Sequence, residues 1–130
     1  MPKEKQDKHI EPLFGTFFEL LVNIKFAHVM TRSYTKHKAT DKLYEQLNKS
    51  IDDFMEVYVC KYGRPKESMP KTISYKNMTD SEFVTYLNNI LQLFSNDIFK
   101  YIKKEDTELI SILDDIKVSI HKSLYKLDMR

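Results

Sequence analysis

Apolar residues recur at steps of three and four along most of this chain, and the places where the stride fails are clustered. The first stripe is Phe14, Phe17, Leu21, Ile24 and His28, the spacing of a helix with one buried face, and its fifth member is a histidine. It predicts a helix from about Glu11 and Pro12, where a proline suits a first turn, to about Arg32. Continued further, the same stride lands on Thr31, Thr35, Lys38, Lys42, Glu45, Lys49 and Asp52, all polar, so one long helix is excluded. The cluster TRSYT at 31–35 favours bonds to its own backbone and predicts a short turn. A second helix then runs from about Lys36 to Lys61 on the stripe Leu43, Leu47, Ile51, Phe54 and Tyr58, with Gly63 and Pro65 to stop it.

Residues 61–80 carry Gly, two Pro and scattered Lys without periodicity, which predicts one long connection. Thr79 followed by Glu82 has the form of a capping box opening a third helix, with Phe83, Leu87, Ile90, Leu91, Phe94, Ile98 and Tyr101 on its buried side. KKED at 103–106 interrupts it, and Asp106 is placed to cap a fourth helix carrying Leu109, Leu113, Ile116, Ile120, Leu124 and Leu127. The fold class this predicts is all-α: a four-helix bundle with one long connection between helices two and three. A flexible N-terminal tail, residues 1–10, precedes a single bundle domain, residues 11–130.

Composition narrows the picture. With 130 residues, 42% hydrophobic and 31% charged, the chain supports one domain with a core. Its one cysteine, Cys60, excludes a disulfide framework and a cysteine-based zinc site, and is expected as a small apolar filler in a reducing compartment. Contiguous apolar runs such as FFELLV fall far short of a span and the N-terminus lacks a signal core, so a soluble, cytoplasmic protein without a membrane partner is expected. A net charge of +2 argues against a dedicated nucleic-acid binder.

The candidate chemistry lies beside the stripe of helix two. Projected at about 100° per residue, His37, Asp41, Asp52 and Glu56 fall in a wedge of roughly 100° that flanks the apolar face. Asp53 is expected to face solvent. Asp41 follows His37 by one turn and Glu56 follows Asp52 by one turn, so each pair can offer two ligand atoms to one small volume. Imidazole with carboxylate suits iron, zinc or manganese and not the all-oxygen preference of calcium. Fifteen residues of straight helix separate His37 from Asp52 by roughly 22 Å, whereas metal–ligand bonds are about 2 Å, so one chain cannot bring them to one ion. A second copy packed antiparallel about a two-fold axis would set its Asp52 and Glu56 opposite His28 and His37.

The stride of His37, Asp41, Asp52 and Glu56, with His28 in the place of a first histidine, resembles the ferroxidase motif of Dps, the small ferritin-like iron-storage proteins. DTELISILDDIKVSIHKSLYKLDM at 106–129 is similar to their last helix, and HVMTRSYTKHKATDKLYEQLNKSIDDFMEVYVCKYGR resembles short ferritin-like proteins of phages and large DNA viruses. Val29 stands where Dps proteins place a tryptophan, and the Glu-x-x-His pairs of classical ferritins do not occur. The resemblance implies a ferritin-like bundle that associates through helices one and two, at least as a two-fold dimer. It implies oxidation of Fe(II) by peroxide or oxygen, with His28, His37, Asp52 and Glu56 as the catalytic ligands and Asp41 assisting a second metal. Residues Lys3, Lys5 and Lys8 match the DNA-gripping tails of some Dps proteins, but Glu4, Asp7 and Glu11 interleave and leave little charge to release counterions. The competing expectation is a non-catalytic structural or interaction protein, such as a virion component, that uses the polar edge for salt bridges. His9 and His121, without carboxylates at ligand spacing, are expected at the surface.

Overall fold

The computed structural model describes residues 10–66 and 71–129 and is all-helical over them. Helix α1 runs Ile10–Met30, α2 Tyr34–Tyr62, α3 Asp80–Ser95 and α4 Thr107–Leu127, with a 3-10 turn at Asp97–Lys100. The tail expected at residues 1–10, with Lys3, Lys5, Lys8 and His9, lies outside the described residues apart from the backbone of Ile10.

Helix boundaries follow the capping chemistry. Three residues, Thr31 to Ser33, break the first two helices, and Ser33 accepts from the Lys36 N–H at 3.2 Å to open α2. Gly63 closes α2 at φ 96°, a left-handed conformation that side chains avoid, and donates to Val59 O. The box at Thr79 is formed: Thr79 Oγ1 accepts from Glu82 N at 3.1 Å, and Glu82 Oε1 accepts from Thr79 N at 2.9 Å. The third helix stops at Ser95, short of Tyr101, and the chain tightens into the 3-10 turn that still buries Ile98.

Ion pairs fix the helix directions. Lys36 in the first turn of α2 meets Asp80 at the start of α3 at 2.8 Å, so these helices begin at the same end and run parallel. Lys61 in the last turn of α2 pairs with Asp106 and, at 3.1 Å, with Glu108, so α4 starts where α2 finishes and returns antiparallel. The short turn makes α1 antiparallel to α2, and Phe17 of α1 reaches Phe94 of α3 with ring centroids 5.4 Å apart. The order around the bundle is therefore α1, α2, α4, α3, every neighbour antiparallel, and residues 63–79 must cross its length. That crossing is pinned to α1: Ser74 N donates to Glu19 Oε1 at 2.6 Å and buried Asn23 Nδ2 donates to Ser74 O at 3.2 Å. Tyr75 adds an edge contact to Phe26 at 5.2 Å.

The core confirms the stripes of α2 and α3 and shifts that of α1. Leu43, Leu47, Ile51, Phe54 and Tyr58 are all buried, as are Phe83, Leu87, Ile90, Leu91 and Phe94. On α1 the buried face is Leu13, Phe17, Leu20, Ile24 and Ala27, while Phe14, Leu21 and His28 form a half-buried shoulder toward α2. Both rows satisfy a three-four stride, and only the packing of two neighbours on α1 selects between them. Pro12–Met30 also has a mean hydropathy of 1.3, enough by length and composition to cross a membrane, which the contiguous apolar runs alone did not reveal. Here its most apolar side is packed inside the bundle.

Asp106 departs from its expected role. Its carboxylate does not cap α4; it is buried and accepts from Tyr62 Oη at 2.5 Å, from Lys103 N at 2.8 Å and from Lys61. Burial pushes this carboxyl up, but the bonds from Lys61, Tyr62 and the Lys103 N–H outweigh it and hold the group below the usual aspartate range. The same pairing, with Glu108 adding to it, holds Lys61 protonated well above the ordinary lysine range.

Candidate metal centre

The turn at Thr31–Ser33 folds the end of α1 onto the start of α2 and sets His28 against His37. Their rings stack with centroids 3.9 Å apart and planes 22° from parallel. His28 Nδ1 lies 2.9 Å from His37 O, and His37 Nδ1 lies 3.1 Å from His28 O. A backbone carbonyl can only accept, so each Nδ1 donates its N–H, and Nε2 is the ring nitrogen left for another partner. A histidine that donates its other nitrogen to a carbonyl has the arrangement usual among metal ligands. The His28 carbonyl sits in the last turn of α1, where the helix supplies no donor, so His37 also caps that helix. Buried Thr40 closes the cluster, its Oγ1 bonded to Lys36 O at 2.7 Å and 3.4 Å from His28 Nδ1.

The carboxylates gather at the other end of α2. Ligand atoms of Asp52, Asp53 and Glu56 all lie within 4.8 Å of one another. A hydrogen bond with Asp52, reinforced by the charges of Asp52 and Asp53, raises the Glu56 carboxyl above the usual glutamate range. Glu56 therefore keeps its proton to a higher pH than an isolated glutamate does. Asp53 faces solvent as expected, with its side chain 47% exposed, and it also joins this group and accepts from Lys49 at 3.1 Å. The signal was available in its position next to Asp52 and one turn from Lys49.

Among the described residues no third His, Cys, Asp or Glu joins the histidine pair. Asp41 is exposed and lines a different cavity with Lys38, Lys42, Glu45 and Lys49. His37, Asp52 and Glu56 are exposed and His28 is half-buried. Cys60, expected as filler, is exposed and borders a cavity with Glu56 and Arg64, because its position on α2 turns away from the packed stripe. Tyr44 packs under Lys25 at 4.9 Å and Tyr34 under Lys38 at 5.8 Å. His121 is exposed, as expected.

A family model spans residues 28–127, from the first stacked histidine to the last turn of α4. The chain belongs to DUF5856, a family of unknown function. The DUF5856 match takes in both half-sites and all of α2, α3 and α4. An uncharacterized 14.6 kDa protein from the mobD-ri intergenic region of Enterobacteria phage T4 is 30% identical over 103 residues, 79% of this chain and 75% of the phage protein. No solved structure matches the chain.

Proposed function

We propose that this DUF5856 protein is a ferritin-like bundle that binds and oxidises Fe(II) at sites shared between two copies. His28 and His37 of one copy and Asp52 and Glu56 of the other would hold the ion. The observation that carries the reading is the reciprocal histidine pair, in which both imidazoles are held in the tautomer that presents Nε2 as a ligand. The helix order, with α2 and α3 parallel and a crossing connection between them, supports the ferritin-like comparison. The exposed carboxylate group, about 22 Å along α2 from His37, is too far away to share an ion with it in one copy, which is what supports a two-fold arrangement.

In this mechanism the chain's own groups bind, orient and manage charge. Bonds to the carbonyls of His28 and His37 restrain how the rings turn, and an Fe(II) held by both would require the stacked rings, now 22° from parallel, to tilt toward it. At the acidic half-site an arriving cation would offset the repulsion between Asp52, Asp53 and Glu56 that raises the Glu56 carboxyl. Each Fe(II) substrate gives up one electron, and one peroxide takes electrons from two of them. Zinc or manganese fits the same donors without that electron transfer.

The test is anaerobic Fe(II) titration followed by air or peroxide, reading ferric absorbance. Wild type should oxidise iron well above the buffer rate, while a His28→Ala, His37→Ala double variant and an Asp52→Ala, Glu56→Ala double variant should not. Mixing the two inactive variants should restore part of the activity, because a mixed dimer contains one complete site. Wild-type oxidation at the buffer rate would sink the enzyme reading, and inactive variants that regain nothing on mixing would sink the shared site.

One observation favours a second reading, a non-catalytic bundle used for assembly, in the cytoplasm or in a virion. The His28–His37 pair closes the last turn of α1 with no metal required, and the chain has a phage relative. A wild type that binds no iron yet loses stability in His37→Ala would support it.

A further inference from the structure

Away from the histidine pair, a cavity of about 260 Å³ is lined by Ser33, Thr35 and Lys36 on α2 and by Phe83, Leu127 and Met129 on α3 and the end of α4. The Lys36 side chain is only 9% exposed, and its Nζ lies 5.1 Å from the Phe83 ring centroid. An ammonium carries three N–H donors, and leaving donors unmet in a buried place is costly. Among the described residues Asp80 Oδ1, at 2.8 Å, is the acceptor for one of them, and the cavity must supply the rest. Asp80 is itself 87% exposed, so water competes for its carboxylate and a ligand oxygen can displace it. The starts of α2 and α3 both border the cavity, which adds the positive end of two helix dipoles.

We propose that this cavity binds a small organic monocarboxylate with a short apolar tail. The carboxylate accepts from Lys36 and from the hydroxyls of Ser33 and Thr35, and the tail lies against Phe83, Leu127 and Met129. Polar residues line one side of the cavity and Phe83, Val84, Leu127 and Met129 the other, and it is this apolar side that a tailed acid meets and that phosphate would leave facing a hydrated charge. The site is independent of the iron reading, shares none of its residues, and stands or falls separately.

Amide chemical shifts of the full chain during titration with butyrate, and in parallel with inorganic phosphate, test this. Butyrate should produce saturable shifts confined to residues 33–36, 80–84 and 127–129. Lys36→Met should weaken butyrate by about tenfold or more, the loss of charge-assisted bonds. Asp80→Asn, at an exposed position, should strengthen it severalfold by removing the built-in competitor. No saturable shift in either wild type or Asp80→Asn at tens of millimolar overturns the proposal, and so does unchanged or weaker binding in Asp80→Asn. Phosphate binding as tightly as butyrate overturns the carboxylate assignment. Should Lys36→Met fail to fold, the Asp80→Asn result decides alone.

Discussion

Replacing Asp106 by asparagine should destabilise this bundle through the loss of a buried, triply bonded carboxylate. The carboxylate is 1% exposed and takes three donors at once: Tyr62 Oη at 2.5 Å, Lys103 N at 2.8 Å and the Lys61 ammonium. Hydrogen bonds to a charged acceptor contribute about 1.5–3 kcal/mol each, and a donor left unmet in the interior costs about 1–3 kcal/mol. Asparagine keeps the shape and one acceptor oxygen but brings an amide N–H toward donors, so a net loss of about 3 kcal/mol is expected. An unfolding entropy of about 2.1 cal/mol/K per residue, over 130 residues, converts this to a fall in Tm of about 11 °C.

The pH dependence provides a second, independent reading of the same group. The folded-state pKa of Asp106 is depressed, so its stabilisation is fully present above the unfolded aspartate value of about 3.9 and is lost as pH falls through the folded value. Lys61 is raised, so its share is present below about 10.4 and is lost only as pH rises beyond that. Urea unfolding of wild type and Asp106→Asn, followed by far-ultraviolet circular dichroism from neutral pH down to about pH 2, measures both effects. The two stability curves should converge as acid is added. A loss under about 1 kcal/mol at neutral pH, or curves that stay parallel into acid, would refute the argument that charge at Asp106 ties α2 to α4.

Other expectations follow from individual contacts. Phe54→Ala removes a fully buried ring that meets Phe17 edge-on at 5.1 Å, and should lower stability by about 3–5 kcal/mol in denaturant unfolding. Thr79→Ala opens the capping box of α3 and should cost about 1 kcal/mol, with faster amide exchange confined to the first turn of that helix. Asp52→Asn should lower the titration midpoint of the Glu56 carboxyl, read by carbon NMR, because the Asp52 hydrogen bond and charge are what raise it. A raised carboxyl favours the folded state at low pH and loses that contribution as pH rises, so this variant should also show a shallower decline in stability as pH rises above the usual glutamate value of about 4.3. An unmoved Glu56 midpoint would mean that the two carboxyls do not share a proton.

Part of the candidate site was legible in the sequence because helix geometry is nearly rigid. The turn at TRSYT and the stride of His37 and His28 around it placed two histidines at one end of a helix hairpin, and they stack there. The separation of His37 from Asp52 also followed from rise per residue alone. What could not be read was rotation within small tolerances. Asp53 sits one position from Asp52 and faces solvent as expected, yet its ligand atoms also lie within 4.8 Å of those of Asp52 and Glu56, a closeness that side-chain rotation decides. Lys36 has the stride of Thr40, Leu43 and Leu47, yet a lysine in a stripe reads as a break until its ammonium is seen over Phe83 and beside Asp80.

The sequence by itself determined the number of helices, their approximate ends, the buried rows of α2 and α3, and the two groups of ligand-type residues on α2. These are local matters, set by the 3.6-residue period and by capping side chains within a few residues of each helix end. Tertiary structure alone decided which of two equivalent rows on α1 is buried, how the long connection is pinned through Ser74, and that Asp106 serves the α2–α4 contact and not the helix it precedes. Each of those depends on a partner more than thirty residues away, as the Tyr62–Asp106 bond does across 44 positions, and no local pattern encodes which distant side chain will arrive.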